Sequence, residues 1–531
     1  MIIITKPTKL RTMKKVLIVI LFFIHIHLFA QNIIWERKVP GRYSDFLADA
    51  VPTLDYGFLL AGSSLSEVSQ KATQKGTYNY MLAKFSETGD LEQINYFGGA
   101  GTDQLQCIIN ANDGGYLLAG ISTSGLSETK TVPHIGGFDI WLIKLGITGG
   151  IQWQKTLGGL ANEKVAKIIR TNDGGYVIAA SSASDELIPS GKVLASNDVI
   201  TKQDDNFGNL DYWLIKLDAD GNFQWQKSFG GNRIDELTQI VELNNGALLL
   251  AGQSNSNNTG NKTITGKGQR DWWLIKTDKN GNMIWQKSFG DDADDSLNGI
   301  LMTKDGHILL GGHYTFIDKN TKRNNTNIVL RKIDTDGHLI WKNTYDFKIK
   351  DILTNIIQND DGSIVMGAYC GTHKKLSNDD FFLIKTDAEG NTLWQKKVGS
   401  LRKDVLQKII ETRDGGYVLV GSQMTTTGKG DANSDYYLVK IGDKDKPLHE
   451  KLPLEAVPNP VLTYTKVVIG KEYEKGYLRV VDLNGKILQT MQLSGNRIIP
   501  VNLQSYPASI YIINVIADKT QNSVKILKKE H

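Results

Sequence analysis

A stretch repeated in register, turn signals between short apolar runs, and a change of rhythm near residue 447 predict an all-β chain. The expected architecture is a seven-bladed β-propeller closed by strands from both termini of the repeat array, followed by a small Ig-like β-sandwich. "DYWLIKLDADGNFQWQKSFGG" at 211–231 returns as "DWWLIKTDKNGNMIWQKSFGD" at 271–291 and as "DFFLIKTDAEGNTLWQKKVGS" at 380–400. Self-similarity of this kind marks stacked supersecondary units, none of which can bury its apolar face alone.

Composition sets the bounds. Length alone would allow 531 residues three or four domains, but a repeat array runs long as one unit. Lys plus Arg is 61 against 57 for Asp plus Glu, so no overall basic footprint points to nucleic acid. Apolar residues at 40% and charged ones at 22% describe a globular chain. Gly is abundant at 53 and Pro scarce at 11, as many tight turns between strands require. Cys107 and Cys370 fall in distant repeats and read as buried small side chains rather than as a disulfide or metal pair.

In chain order, the N-terminus reads as a targeting segment. From Met13, Lys14 and Lys15 form a basic n-region, and Val16 to Phe29 is mostly apolar and too short for a comfortable span. Cleavage after Ala30 would leave Gln31 first, although Leu28 is larger than such sites usually carry. No cysteine follows to take a lipid, and no later stretch is apolar enough to span a bilayer. The organisation expected is a signal peptide over 1–30 with its start at Met13, a propeller over 31–446, a linker over 447–456 and a sandwich over 457–531.

Each repeat begins with an acid and an apolar strand, followed by a D-G or N-G turn and a second, very apolar strand such as "GYVIAAS". A polar loop of variable length leads to a "DYWLIKL" strand, and a "DADGN" turn leads to a Trp strand. Strands bounded by D-G and N-G turns are the strongest short-range hairpin signal, and four per unit is a blade. The acid occurs seven times, as Asp45, Asp103, Glu163, Asp235, Asp295, Asp351 and Asp404. Ten residues on stand Asp55, Asp113, Asp173, Asn245, Asp305, Asp361 and Asp414, the turn residues. Trp35, Trp153, Trp225, Trp285, Trp341 and Trp394 mark the fourth strand, with Gln93 in the slot that follows Trp35, and read as core between blades. The seventh unit lacks a Trp strand, whereas "IIWERKV" at 33–39 is a Trp strand with no unit before it. Pairing the two closes the ring and leaves no blade face bare.

The chemistry legible in the chain is sparse. "DADGN" at 218–222 and "DTDGH" at 334–338 lack the later ligands of a calcium loop and read as turns. His134, His307, His313, His338 and His373 show no metal or catalytic spacing, and HExxH, GxSxG and GxxxxGK[ST] do not occur. The seven acids recur in every unit, so they serve the unit by accepting backbone hydrogen bonds. No catalytic residue, metal site or cofactor is expected. The long loops, at 62–78, 121–138, 181–210, 252–270, 312–326, 370–378 and 422–434, fall on one rim, where length variation builds binding faces. Lys262, Lys267, Arg270, Lys319, Lys322, Arg323, Lys374 and Lys375, opposed by Asp318, make one arc of that rim basic. The neighbouring loop is acidic, with Asp185, Glu186, Asp198, Asp204 and Asp205 against Lys192 and Lys202. Few aromatics accompany the basic arc (Tyr314, Phe316, Tyr369), so an anionic surface glycan fits it better than neutral sugar stacking.

The last 75 residues read as short alternating strands with an N-G turn at Asn484 and Gly485. Pro458, Asn459 and Pro460, then Asp482, Asn484, Gly485 and Lys486, resemble the type A C-terminal sorting domain of proteins exported by the type IX secretion system of Bacteroidota. "YPASIYIINV" at 506–515 and Lys525, Lys528 and Lys529 extend the likeness, with Ser509 where the family commonly has Gly. The blades resemble the secreted "DGGY…WLIK-D…GN…W-x-K…GG" repeat proteins often joined to this domain. The resemblance implies Sec export through the periplasm, then outer-membrane passage by the type IX machinery. In such proteins the domain is usually removed, with the passenger released or attached to surface lipopolysaccharide. Two function classes follow: a secreted or cell-surface binding or adhesion module, which is favoured, and an extracellular polysaccharide lyase or glycosidase on the same scaffold.

Overall fold

The computed structural model describes residues 33–39, 46–65, 77–146, 149–185, 197–290, 294–317, 324–371, 379–399, 403–426, 432–443 and 449–529. Among them the chain forms strands and no helix. Up to residue 443 the strands fall into seven units of four in the order inner, second, third, outer, with one extra short strand, Val199–Thr201, parallel to the outer strand Ile151–Gly158 of unit 2. Unit 3 is representative, with Glu163–Arg170, Tyr176–Ser182, Asp211–Leu217 and Phe223–Phe229. Its second and third strands are buried at every position, whereas the inner strand alternates and the outer one is half exposed. A strand covered on both faces can be apolar throughout, which is why "YVIAASS" and "DYWLIKL" show no period of two. Units 5 and 6 touch edge to edge through one parallel pair, Thr326 with Lys350.

Seven apolar clusters hold the units together, one at each junction between consecutive units and one between unit 7 and unit 1. In the last of these, Phe58, Leu60 and Phe85 of unit 1 pack with Val418, Val420 and Leu438 of unit 7. The strand Ile33–Val39 pairs antiparallel with Ala432–Ile441 and so stands outermost in unit 7, opposite Tyr417–Thr426 and Asp404–Glu411. Trp35 stacks on Phe58 of unit 1 with ring centroids 6.2 Å apart, and its indole donates to Glu87 O at 3.0 Å. The equivalent tryptophans of the other units are half-buried against the junction clusters, and Trp394 is buried.

The D-G turns are closed by side chain and backbone together. Ala111 N donates to Gly115 O and Gly114 N to Ala111 O, while Asp113 Oδ1 accepts from Gly115 N. Gly114 lies at φ +81°, a conformation glycine takes without strain. Every inner strand carries one β-bulge, between Leu47 and Asp49, Leu105 and Cys107, Val165 and Lys167, Leu237 and Gln239, Leu297 and Gly299, Leu353 and Asn355, and Leu406 and Lys408. A bulge re-aims the side chain that follows it.

The C-terminal unit is two sheets over one core. Leu454–Val457, Tyr464–Ile469 and Ile498–Asn502 form the smaller sheet; Gly476–Val481, Ile487–Leu493, Ser509–Ala517 and Thr520–Lys528 form the larger. Val467, Leu478, Val480, Tyr511, Ile513 and Ile526 fill the space between them. This unit meets the turn side of units 7, 1 and 2. Arg413 pairs with Glu455 at 2.7 Å, and Glu87 takes Lys451 at 2.6 Å and Arg497 at 3.4 Å. Lys466 donates to Gly114 O and lies 5.6 Å over the Tyr116 ring.

Candidate functional site

The basic rim is only partly available. Lys262 is buried under its own loop, donating to Ser256 O at 2.7 Å and lying 5.7 Å over the Trp273 ring. This corrects its expected place on the rim. Lys130 and Lys202 do the same in units 2 and 3, on Ser124 O and Asp204 O. A polar loop over an apolar blade leaves carbonyls turned inward, and an ammonium is the donor that satisfies them. Burial lowers the pKa of all three. Arg270 is 3.4 Å from Asp294, and Lys267 is exposed. Lys319, Lys322, Arg323, Lys374 and Lys375 lie outside the described residues, as does Asp45 of the repeated acids.

The other six acids are buried at the heads of the inner strands. Asp103 accepts from Gly99 N and Ser124 Oγ, Asp235 from Gly231 N and Ser256 Oγ, and Asp351 from Phe347 N and Lys348 N. Glu163 accepts from Gly159 N, Ser182 Oγ and Ser184 Oγ, and Asp404 from Gln423 Nε2; Asp295 is buried in the same frame. A second set went unread in the sequence, although an Asp opens nearly every "DYWLIK" strand. Asp139, Asp211 and Asp380 each face the first acid of the next unit. A Cβ built on Gly158 would stand 2.3 Å from Asp139 Oδ1 and 2.8 Å from Glu163 Oε2, so the glycine of the "GG" turn makes room for the pair. Burial is the main force pushing Glu163 and Asp211 up to about 7, and the neighbouring carboxylates, Asp139 and Asp235, add to it.

The calcium-like stretches are turns: Asp218 Oδ1 accepts from Asp220 N and Asn222 N, and Asp334 Oδ1 from Asp336 N and His338 N. Among the described residues no three His, Cys, Asp or Glu side chains gather to hold a metal. Cys107 and Cys370 are free and buried, and burial pushes the Cys107 thiol up to about 12.

The repeat is broken at its centre. The side chain after each bulge faces one cavity of about 430 Å³, lined by all seven inner strands. In unit order these residues are Asp49, Cys107, Lys167, Gln239, Gly299, Asn355 and Lys408. Most tie their strand to the next. Asp49 Oδ2 accepts from Ile108 N at 3.2 Å, and Gln239 Nε2 donates to Asn298 O at 2.9 Å. Asn355 bonds both N–H and O of Ile409, and Lys408 reaches Asp49 at 2.5 Å. Gly299 has no side chain because Ile356 of unit 6 comes within 2.8 Å of where a Cβ would be. Lys167 makes no hydrogen bond or ion pair among the described residues. The nearby positive charge of Lys408 lowers its pKa first and burial second, against the pull of Asp49. At this level two ammonium groups face one carboxylate; Glu411, the other acid in the wall, stands three residues beyond Lys408, about 10 Å along the strand. The amide oxygens of Asn298 and Gln407, also in the wall, are buried and accept no hydrogen bond.

The sorting motif holds one end of the C-terminal unit together. Asn459 Nδ2 donates to Lys525 O and its Oδ1 accepts from Leu527 N, while Pro458 O accepts from Thr465 Oγ1. Pro460 precedes Val461, whose N–H bonds Leu527 O. Asp482 Oδ1 accepts from Asn484 N and Lys486 N across the turn that Gly485 closes at φ +81°.

Residues 456–529 match the family model described as a secretion system C-terminal sorting domain. The C-terminal unit is therefore an export address, and it supports a secreted or cell-surface destination reached by type IX secretion. The chain is also similar to the regulatory protein FlaEY of Caulobacter vibrioides, 26% identical over 253 residues, which is 43% of this chain. The match spans only 25% of that relative. Among solved structures, a polysaccharide lyase (an ulvan lyase) shares 9% identity at TM-score 0.44, over 76% of this chain and 96% of its own. The NanB sialidase of Streptococcus pneumoniae shares 10% at TM-score 0.38, over 78% and 70%. An α-L-arabinofuranosidase of Fusarium graminearum shares 10% at TM-score 0.37, over 63% and 91%.

Proposed function

We propose that the protein is an exported, closed seven-bladed β-propeller that binds an anionic glycan at the cell surface and does not cleave it. Closure is supported by the apolar cluster between units 7 and 1 and by the pairing of Ile33–Val39 with Ala432–Ile441. One observation carries the binding reading: the residues after the bulges differ from unit to unit and, at their level, set two ammonium groups against one carboxylate. A residue repeated in each blade serves the blade, and a ligand needs an asymmetric wall. Glycoside hydrolysis by the usual route needs two carboxyl groups about 5 to 9.5 Å apart. Among the described residues the wall offers Asp49 alone at the lysine level, already held by Lys408 and Ile108 N.

The test is to incubate the purified chain with acidic and neutral polysaccharides across a salt series and assay both retention and products. Retention of the acidic polymers that weakens with salt, with no new reducing or unsaturated ends, is the expected result. Product release would make the protein an enzyme; equal retention of neutral polymers would remove the anionic partner.

A further inference from the structure

The sorting unit turns one sheet face away from the propeller, and that face is apolar. We infer that the outer face of its larger sheet is the surface read by the type IX machinery, through a partner surface that is apolar at its centre and acidic at its edge. The inference rests on the export reading of residues 456–529 and names where on the fold the address is read.

Three observations lead to it. First, strand alternation sends Val480, Ile513 and Ile526 into the core and their neighbours outward. An antiparallel sheet with one solvated face normally carries polar residues there. Here the register sets Val481 beside Ile487 and Ile512, and Ile510 beside Leu527, all on the outward side. Ile487 is 49% exposed and Leu527 43%, so the chain does not cover this patch itself. Contiguous apolar surface of this kind marks an interaction site.

Second, the charges around the patch share one sign. Arg479 and Lys525 stand outward in the same sheet and Lys486 lies in the adjoining turn, while the four strands contain no Asp or Glu. The acid of that turn, Asp482, is occupied by the N–H groups of Asn484 and Lys486. An apolar centre with a basic rim is complementary to an apolar centre with an acidic one. Third, the passenger docks on the other sheet. Glu455, Lys466 and Arg497, which meet the propeller, lie on or beside the smaller sheet, and the larger sheet makes none of these contacts. An address has to be read while its passenger is attached, and this face is open in that state. The four strands carry no Trp or Phe to insert among lipids, and branched side chains on a flat sheet suit a flat protein surface.

The experiment expresses the full-length chain in a bacterium that carries a type IX system and measures surface and medium levels by fractionation and immunoblot. Ile487→Thr, Ile512→Thr and Leu527→Thr together remove apolar surface outside the core while keeping a strand former at each position. Surface and medium levels should fall at least about tenfold, with the chain held in the periplasm, and the purified variant should melt with the parent. Lys525→Glu alone should act in the same direction, because it reverses a charge on the rim. If deletion of residues 452–531 traps the chain while the triple variant and Lys525→Glu leave normally, the export reading stands and this face is not where it is read. If the deleted chain also leaves normally, both fail. Purified parent and triple variant are also floated with phosphatidylglycerol–phosphatidylcholine vesicles and sedimented over a concentration series. Vesicle binding or self-association that the parent shows and the variant loses would give the face to lipid or to a second copy, and overturn the assignment.

Discussion

The lysine of each "WLIK" strand is buried except Lys84, which is half-buried, and most reach the aspartate of their own turn. Lys144 meets Asp113 at 2.7 Å, Lys216 meets Asp173 at 2.9 Å, Lys84 meets Asp55 at 2.9 Å and Lys332 meets Asp305 at 2.6 Å. Unit 4 shows the logic by exception. Its turn residue is Asn245, and Lys276 turns instead to Thr335 O and Asp336. The most enclosed pair is Lys385 with Asp443, 2.7 Å apart with both side chains almost inaccessible. Removing one partner strands the other charge, so Lys385→Met should cost about 3–5 kcal/mol in chemical denaturation. A loss under about 1 kcal/mol would mean that the pair adds little.

The acid pairs at the unit junctions give a residue-scale pH dependence. Glu163 keeps its proton to about pH 7 in the folded chain, whereas its ordinary value is 4.5. Between those values the folded state binds more protons than the unfolded one, so this group's contribution to stability falls as pH rises through the window and is level above it. Asp211 acts in the same sense, from 3.8 to about 7. Glu163→Gln, which cannot ionise, should gain on the parent as pH rises from about 4.5 to 7, by about 1.4 kcal/mol at most for each pH step of one across that window. A stability difference between the two that does not change with pH would remove the proton from the pair.

At the element scale, the strand Ile33–Val39 carries more than its own contacts. Without Ile33–Val39, the strand Ala432–Ile441 becomes an open edge, and Trp35 no longer covers Phe58. Trp35 and Val39 are half-buried against the cluster between units 7 and 1, each gaining part of the about 1.5–3 kcal/mol that full burial gives, and a bare edge recruits other chains. Deleting residues 33–39 should lower the melting temperature sharply and raise light scattering. An unchanged melt would mean that the array does not depend on this strand.

The same scale shows what the sequence could reveal. The D-G turns, the Trp frame and the orphan strand at 33–39 have local signatures, so strands and order were legible. The bulge was not: it has no residue signature, and it decides that Lys167 and Asp49 face the centre. Lys262 was misread because a loop's length shows in the sequence and its inward carbonyls do not.

At the scale of the whole molecule, the export address is docked on the passenger. Deleting residues 452–531 should hold the protein in the periplasm, since the match to the sorting family lies there. Normal surface or medium levels of the truncated chain, measured by fractionation and immunoblot, would place the address elsewhere.

The docking itself rests on a departure from the repeat. Units 2 to 7 place glycine at the left-handed position of the D-G turn, as at Gly114, Gly174, Gly246, Gly306, Gly362 and Gly415. Unit 1 has Tyr56 there, at φ 69°, a conformation costing a non-glycine residue about 1–2 kcal/mol. The ring is buried beneath Arg413 at 4.9 Å and Lys451 at 5.7 Å, the cations that also pair with Glu455 and Glu87 of opposite elements. The strain is therefore held by contacts that Tyr56 makes with unit 7, through Arg413, and with the segment leading into the C-terminal unit, through Lys451. Tyr56→Gly should relieve it in the propeller while removing the surface on which both cations rest. The variant should melt no earlier than the parent yet show a larger maximum dimension in small-angle X-ray scattering, as should Glu87→Ala. Raised salt should extend the parent chain in the same direction, because ion pairs are among the remaining ties. Equal dimensions for the parent and both variants would mean that this cluster does not hold the sorting domain in place.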